Sequence, residues 1–251
     1  MSARLLGVVT GLKSEARVLR GLDVACISIG GKADGAAAKI ERLIAGGVTG
    51  LVSFGIAGAL HPELRCGDVV VAERIADEKG DVFVAHPAWV RAAAATPRSV
   101  TPGLTRGPSQ EQAQTSTWIP AQGRDDEGVG GGGGAILGLD RMLASPQEKA
   151  AAFARTGALA IDMESHHAAR AAAAQGLPFI AIRAISDRAD EALPSCFADF
   201  VDGAGATKMS AVLAALISGR VSLRELFAAG RSSRLAHQAL FGCRGAVAGL
   251  R

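Results

Sequence analysis

Two apolar runs separated by an alanine-rich segment are the feature that most constrains the fold. Residues 158–161 have the character of a short buried strand, and residues 165–175 contain no Gly or Pro, which predicts a helix. Gly176 and Pro178 end that helix, and residues 179–185 form a second apolar, β-branched run of the type buried in parallel sheets. The pattern predicts a βαβ unit and therefore an α/β fold.

Polar residues cluster just past both predicted strands. Glu164 follows the first strand, Ser186 and Asp187 follow the second, and Arg183 lies inside the second apolar run. Ligands of open α/β sheets bind at the carboxyl ends of strands, and a buried arginine is unfavourable unless it is paired or functional. Two interpretations stay open at this point: a ligand pocket, or a structural ion pair of Arg183 with Asp187 or Glu164.

The rest of the chain continues the alternation of strands and helices. We predict strands at residues 4–10, 24–29, 51–54, 69–72 and 135–139, and helices at 14–20, 33–45, 146–155 and 197–217. Glu15 then lies just beyond a strand, although a glutamate in a first helical turn also simply suits the helix dipole. Residues 55–60 are predicted to form a glycine-rich turn whose backbone amides can approach a ligand.

Composition excludes several classes of function. Aromatic residues make up 4% of the chain, with no Tyr, and the net charge is +3, which argues against a nucleic-acid partner. The four cysteines form no CxxC pair, so we expect a reducing cytoplasm, no zinc and no disulfide framework. No signal peptide or spanning apolar run is expected. No glycine motif fits a phosphate or dinucleotide loop, and we predict neither metal nor cofactor.

Two segments depart from the α/β pattern. Residues 96–134 contain four prolines and end in five glycines, which predicts a low-complexity insertion, disordered or lid-like, within a domain spanning 1–218. The segment 219–251 carries six arginines against one acid, Glu225, with Leu and Phe between them. A basic amphipathic tail of this kind can lie on an anionic membrane surface, or can pack on the domain with its arginines in water.

The order of motifs resembles a known family. Glu15, the glycines at 55–60, Gly67-Asp68-Val69-Val70-Val71, Asp162-Met163-Glu164-Ser165 and Arg183-Ala-Ile-Ser-Asp187 resemble the nucleoside phosphorylase/nucleosidase superfamily. The motifs match methylthioadenosine/S-adenosylhomocysteine nucleosidases best. Residues 155–166 with 183–194 also resemble the hopanoid-associated branch, thought to remove adenine from adenosylhopane. The resemblance covers about residues 4–90 and 135–218. It implies a three-layer α/β/α fold around a twisted, mostly parallel mixed sheet, and a homodimer.

This resemblance implies a purine nucleosidase that releases adenine from a 5′-substituted adenosine. Asp187, protonated, would donate to N7 of the base, which requires a pKa raised by burial or by a like charge. Glu15 would activate the attacking water, and Arg183 would orient the cluster. Glu164 would hold the ribose hydroxyls, and Met163 would pack against the sugar.

Further residues of the implied site bear on the nucleophile and the substrate. Ser186 would support the base, and the segment Gly55, Ile56, Ala57 and Gly58 would bind substrate. Phosphorylases of the family hold phosphate with an arginine and a serine where this chain has Ser53 and Ile56, so water is favoured as nucleophile. The apolar Ile56 would suit a lipid-like 5′ group. The alternatives are a phosphorylase using Lys13 and backbone amides, and a non-catalytic nucleoside-binding protein.

Overall fold

The computed structural model describes residues 5–30, 35–95 and 134–250, so the predicted insertion lies outside the described residues apart from Gly134. The strands are β1 (Leu6–Thr10), β2 (Val24–Ser28), β3 (Leu51–Ala59), β4 (Val69–Ala72), β5 (Arg74–Asp77), β6 (Val82–Val84), β7 (Ala135–Gly138), β8 (Ala160–Asp162) and β9 (Phe179–Asp187). The helices are α1 (Lys13–Val18), α2 (Ala36–Ala45), α3 (Pro87–Ala95), α4 (Pro146–Thr156), α5 (Ser165–Ala174), α6 (Met209–Ile217), α7 (Leu223–Gly242) and α8 (Arg244–Gly249), with a 3₁₀ helix at Ser195–Phe200.

The nine strands of the described chain form one mixed sheet. Its main path runs in the order β2-β1-β3-β8-β7-β5-β6, and β9 pairs with both β3 and β4. The pairs β1–β2, β1–β3, β3–β9, β5–β7 and β7–β8 are parallel, and the other three are antiparallel. The prediction of a mostly parallel mixed sheet is confirmed.

Helices cover both faces of this sheet because successive residues of a strand point to opposite sides. In β1, Val9 belongs to a core cluster that includes residues of α2 and α5, whereas Val8 belongs to a second cluster with residues of α3, α7 and α8. The three-layer α/β/α arrangement is therefore confirmed. The segment after residue 218, predicted as a basic tail, contributes Ala236, Leu240 and Val247 to the second cluster.

The predicted βαβ unit is wrong in its topology. Both apolar runs are strands joined by α5, but β8 pairs antiparallel with β3, with Gly58 opposite Ile161, while β9 runs parallel to β3. Local hydrophobicity predicts that a segment is a buried strand, but it does not predict the neighbour or the direction. The end of β8 still reaches the site because β8 lies against the carboxyl half of β3.

The glycine-rich turn predicted at residues 55–60 is also wrong. β3 continues through it to Ala59 and pairs with β9 from Leu51 opposite Phe179 as far as Gly58 opposite Asp187, with a register shift after Ala57. Neither Gly55 nor Gly58 is among the glycines with positive φ. These glycines therefore provide space beside the strand and not a change of chain direction.

The helix predicted at 197–217 is divided into two. The 3₁₀ helix ends at Phe200, a bridge joins Val201 to Thr207, and α6 begins at Met209. Gly205, with φ of 75°, makes the turn between them. Within the described part of the chain, no helix is both long and apolar enough to cross a membrane.

Candidate active site

Glu15 lies in the first turn of α1, just beyond the carboxyl end of β1. Its side chain is only 2% exposed. Oε2 accepts hydrogen bonds from the backbone N–H of Gly11 (2.9 Å) and of Leu12 (2.8 Å), and Oε1 accepts one from Ile56 of β3 (2.8 Å). Burial raises the pKa of Glu15, although Arg183 and the backbone donors oppose the shift. Glu15 is thus a rigidly held carboxyl group with increased basicity.

Arg183 lies in the middle of β9 and is completely buried. Its Nε donates to Asp162, and its Nη2 donates to Ser53 Oγ at 2.7 Å and to Ser165 Oγ at 3.1 Å. Nη1 has no hydrogen-bond partner among the residues that the structure describes. Burial opposes the charge, but the neighbouring carboxylates, Asp162 foremost, raise the pKa of Arg183.

Glu164 completes this cluster of charges. Its Oε2 lies 3.7 Å from Nη2 of Arg183. Burial, reinforced by the charges of Asp162 and Glu15 and opposed by Arg183, raises the pKa of Glu164 to about 8. Three carboxyl groups therefore share one guanidinium. Of the two ion pairs considered from the sequence, only Arg183 with Glu164 is observed, at a longer distance than the contact with Asp162.

Asp187 ends β9 and has its own cation. Lys149 of α4, completely buried, donates from Nζ to Asp187 Oδ2 at 2.7 Å. The same ammonium donates to the carbonyl oxygens of Arg188 (2.7 Å) and Glu191 (2.9 Å), so all three of its protons are used. Ser186 Oγ lies 2.7 Å from Asp187 Oδ1. The predicted protonation of Asp187 requires burial or a like charge, and the structure provides burial together with an opposite charge.

Three glycines make room for these side chains. A Cβ added at Gly55 would lie 2.6 Å from Arg183 Nη1 and 2.7 Å from Glu15 Oε1, and one at Gly58 would lie 2.9 Å from Asp187 Oδ2. A Cβ at Gly11 would overlap the carboxylate of Glu164. The absence of a side chain at each position allows a carboxyl group to approach the backbone closely.

A cavity of about 290 Å³ opens beside these groups. Eight of the ten predicted site residues line it: Glu15, Ile56, Ala57, Gly58, Met163, Glu164, Ser186 and Asp187. Gly55 and Arg183 do not line the cavity but lie behind its wall. The remaining wall is largely apolar and includes Leu12, Met142, Leu143, Ile161, Leu193, Phe197, Ala198, Val201 and Ala229.

Sequence reasoning missed two ionic residues and one wall of the cavity. Asp162 was part of the motif but had no assigned role, and it is the main counterion of Arg183. Lys149 carried a weak signal, because it precedes Ala152 and Phe153 by three and four residues on the inner side of α4. The wall formed by the 3₁₀ helix and by Ala229 and Ser233 of α7 had no local signal, because only tertiary packing brings it to the site.

A second polar group lies near the start of α5. Asp140 Oδ1 is 3.1 Å from His166 Nε2 and 2.8 Å from His167 Nε2, a set whose ligand atoms could hold a metal ion. Histidine ligands normally donate their second ring nitrogen to an acceptor, and His166 Nδ1 has no partner among the described residues. Burial lowers the pKa of His166, which favours a neutral imidazole donating to Asp140. The predicted lack of a metal stays a prediction.

The site has the arrangement of an α/β enzyme for small molecules: its carboxyl groups lie at the end of a mostly parallel sheet, around one cavity. The chain belongs to the phosphorylase superfamily, whose family model matches residues 18–218. This membership confirms the expectation of an enzyme of the nucleosidase and phosphorylase class. Glu15 lies just before the matched region.

Solved structures similar to this chain include methylthioadenosine/S-adenosylhomocysteine nucleosidases and a futalosine hydrolase. A methylthioadenosine/S-adenosylhomocysteine nucleosidase from Neisseria meningitidis is 17% identical, with a TM-score of 0.62 over 98% of this chain and 100% of that one. A point mutant of the Helicobacter pylori nucleosidase, with 5′-methylthioadenosine in its active site, is 14% identical, with a TM-score of 0.58 over 86% and 99%. Futalosine hydrolase of Helicobacter pylori is 17% identical, with a TM-score of 0.56 over 86% and 98%. Comparison with the curated proteins finds no matching sequence.

Proposed function

We propose that this protein is a purine nucleosidase that hydrolyses the N-glycosidic bond of a 5′-substituted adenosine and releases adenine. The observation that carries the proposal is that Glu15, Glu164 and Asp187 line one cavity, each held by different buried partners. Cleavage of such a bond passes through an oxocarbenium-like state and needs an acid for the leaving group and a base for water. The three carboxyl groups supply both functions and a ligand for the sugar.

Asp187 is the proposed general acid. As the bond between C1′ and N9 breaks, its electron pair passes to the purine, and Asp187 protonates N7. Lys149 and Ser186 hold the two oxygens of Asp187, and solvent returns the proton to Asp187 after adenine has left. Adenine then leaves as a neutral molecule, which is a better leaving group than its anion.

Glu15 is the proposed base for the attacking water. Water forms the new bond to C1′, and its proton passes to Glu15, whose raised pKa favours this transfer. Arg183 orients Glu164 and Asp162. Its Nη1 has no hydrogen-bond partner among the described residues and lies beside Gly55, as Glu15 Oε1 does. Glu164 binds the ribose hydroxyls, and Met163 packs against the sugar.

Water is proposed as the nucleophile instead of phosphate because of the charge of the cavity. Among the described residues that line it, five are carboxylic acids (Glu15, Asp162, Glu164, Asp187 and Glu191) and one, Arg141, is a cation. Ser53 is engaged by Arg183 and Ser165 and does not line the cavity. A phosphate dianion would find a single arginine, Arg141, among the described lining residues, whereas strong phosphate sites rely on arginine.

The substrate is proposed to carry an apolar 5′ group, as adenosylhopane does. The wall of Leu143, Leu193, Phe197 and Val201 offers apolar contacts beyond the carboxyl groups, and Ile56 adds to them. The site is proposed to work in a cytoplasmic homodimer, as the family resemblance implies.

The test is adenine release from methylthioadenosine, adenosylhomocysteine, adenosine and a 5′-alkyl adenosine with a long chain, each with and without phosphate. We expect adenine and a free reducing sugar at equal rates in both conditions, with the long-chain substrate turned over best. Strict dependence on phosphate would instead identify a phosphorylase. Nucleoside binding without any release would identify a non-catalytic binding protein.

A further inference from the structure

Large apolar side chains are exposed mainly in one part of the molecule. Nine such side chains are exposed among the described residues, and seven of them belong to α6 and α7. The most exposed are Ile217 (80%), Phe227 (77%), Met209 (69%), Leu223 (63%) and Leu213 (58%). A concentration of this kind marks an interaction surface, whereas single exposed apolar residues do not.

These residues form stripes on the outer sides of two consecutive helices. Met209, Leu213 and Ile217 follow one another at intervals of four along α6, and Leu223 and Phe227 do the same on the first turns of α7. The inner sides of the same helices pack together with the 3₁₀ helix through Ala215, Val221 and other residues of a small core cluster. We call the five exposed residues Met209, Leu213, Ile217, Leu223 and Phe227 the α6–α7 patch.

The α6–α7 patch is bordered by positive charge. Between residues 208 and 244 the chain carries six cations against the single carboxylate of Glu225, and one of the six, Arg220, lies 4.0 Å from the carboxylate of Asp199. Arg224, Arg231 and Arg234 are exposed on α7. Arg231 and Arg234 lie on the helical face of Phe227, four and seven residues further on. Within the described residues no carboxylate forms a salt bridge with these three arginines.

We propose that the α6–α7 patch docks on the surface of an anionic lipid bilayer. Apolar side chains bordered by arginines fit such a surface, where the side chains enter the boundary region and the cations meet lipid phosphates. A second copy of this chain fits less well. A two-fold interface through the patch would bring together two surfaces of the same positive charge, and like charges weaken association.

The position of α7 connects this surface with the cavity. Phe227 and Arg231 face outwards, whereas Ala229 and Ser233 of the same helix line the cavity. Docking would therefore place one wall of the cavity next to the lipid. The proposal concerns binding to lipid alone, so its outcome does not depend on the proposed reaction.

The test is sedimentation of the full-length protein with vesicles, without substrate. One set contains phosphatidylglycerol and phosphatidylcholine in equal amounts, and the other contains phosphatidylcholine only. We expect binding to the anionic vesicles and little to the neutral ones. Raising the salt from about 0.05 M to about 0.5 M should weaken the binding about tenfold or more, because screening shortens the reach of the arginines.

Matched variants separate the patch from general hydrophobicity. The double variant Ile217→Ser/Phe227→Ser removes the two most exposed side chains of the patch, and we expect at least about tenfold weaker vesicle binding. The control Val82→Ser/Val84→Ser removes two exposed side chains of β6, 58% and 70% exposed, and should bind as the parent does. None of these four residues lines the cavity, so thermal unfolding and adenine release from a water-soluble nucleoside should be unchanged.

Three results would overturn the proposal. These results are an absence of binding to anionic vesicles, vesicle binding of the patch variant equal to that of the parent, and an equal loss of vesicle binding in the patch and control variants. A patch variant that dissociates an oligomer while the parent ignores vesicles would identify a second copy as the occupant. Sedimentation velocity of both proteins distinguishes that case.

Discussion

Arg183 and Lys149 are both completely buried, but they face different numbers of carboxyl groups. Arg183 is shared by Asp162, Glu164 and Glu15, whereas Lys149 contacts the single carboxylate of Asp187 and two carbonyl oxygens. One cation cannot balance three buried anions, so the Arg183 cluster holds a proton, and the pKa of Glu164 is raised to about 8. Asp187, in contrast, contacts one cation and, among the described residues, no second carboxyl group. The charge of Arg183 is therefore shared among several carboxyl groups, whereas Lys149 has a single carboxyl partner.

The largest expected effect comes from replacing Asp187, the partner of Lys149. Asp187→Asn keeps the shape and an oxygen that can accept from Lys149, but it removes the acid. We expect kcat for adenine release to fall by about 10²–10⁴, with nucleoside binding little changed. Turnover assays and calorimetric binding measure the two parts. Unchanged turnover would contradict the assignment of Asp187 as the general acid.

Removing the cation of that pair should mainly reduce stability. Lys149→Met leaves Asp187 buried without its counterion, and we expect the free energy of unfolding to fall by about 3–5 kcal/mol. The double variant Lys149→Met/Asp187→Asn removes both charges and should recover much of the loss, as a double-mutant cycle in urea would show. Additive losses would mean that the two residues do not act as a pair.

The close packing of the shared cluster predicts a smaller effect at Gly55. Gly55→Ala forces Arg183 and Glu15 apart, and we expect a loss of about 1–3 kcal/mol in unfolding free energy. The control is Gly203→Ala, where an added Cβ meets nothing within 4 Å. Similar stabilities of the two variants would show that Gly55 is not needed for the approach of these side chains.

The effect expected per unit of pH is the smallest: the free energy of unfolding should fall gradually as pH rises. The raised pKa of Glu164 means that the native state keeps a proton between about pH 4.5 and 8 that the unfolded state loses. Its contribution to stability is therefore present at low pH and is lost as pH rises through this window, by at most about 1.4 kcal/mol per pH unit. Glu164→Gln should flatten the curve of unfolding free energy against pH, and an unchanged slope would contradict the assignment. The pKa of Glu15 is also raised, so part of the slope should remain in the Glu164→Gln variant.

Local patterns predicted the elements well and their connections poorly. The runs at 158–161 and 179–185 are strands, as their apolar residues predicted. The direction of β8, which is antiparallel to β3, was not predictable from these residues. The turn predicted at Gly55 and Gly58 is wrong because glycine occurs both in turns and where side chains approach the backbone closely. Only the structure distinguishes the two cases, by showing which atoms an added Cβ would meet. The helix predicted at 197–217 is divided by Gly205.

The sequence by itself predicted the fold class and eight of the residues that line the cavity, because strand ends and unusual buried charges leave local signals and the motifs resemble a known family. Glu164 and Asp187 were candidates because they follow predicted strands, and the family resemblance supplied their roles and that of Glu15; all three line one cavity. Only the tertiary structure decided the ionic partners. Arg183 pairs with Asp162 and Asp187 with Lys149, across 21 and 38 residues of chain. The physical reason is that a buried charge needs a partner within about 4 Å, and which side chain comes so close depends on how distant elements pack.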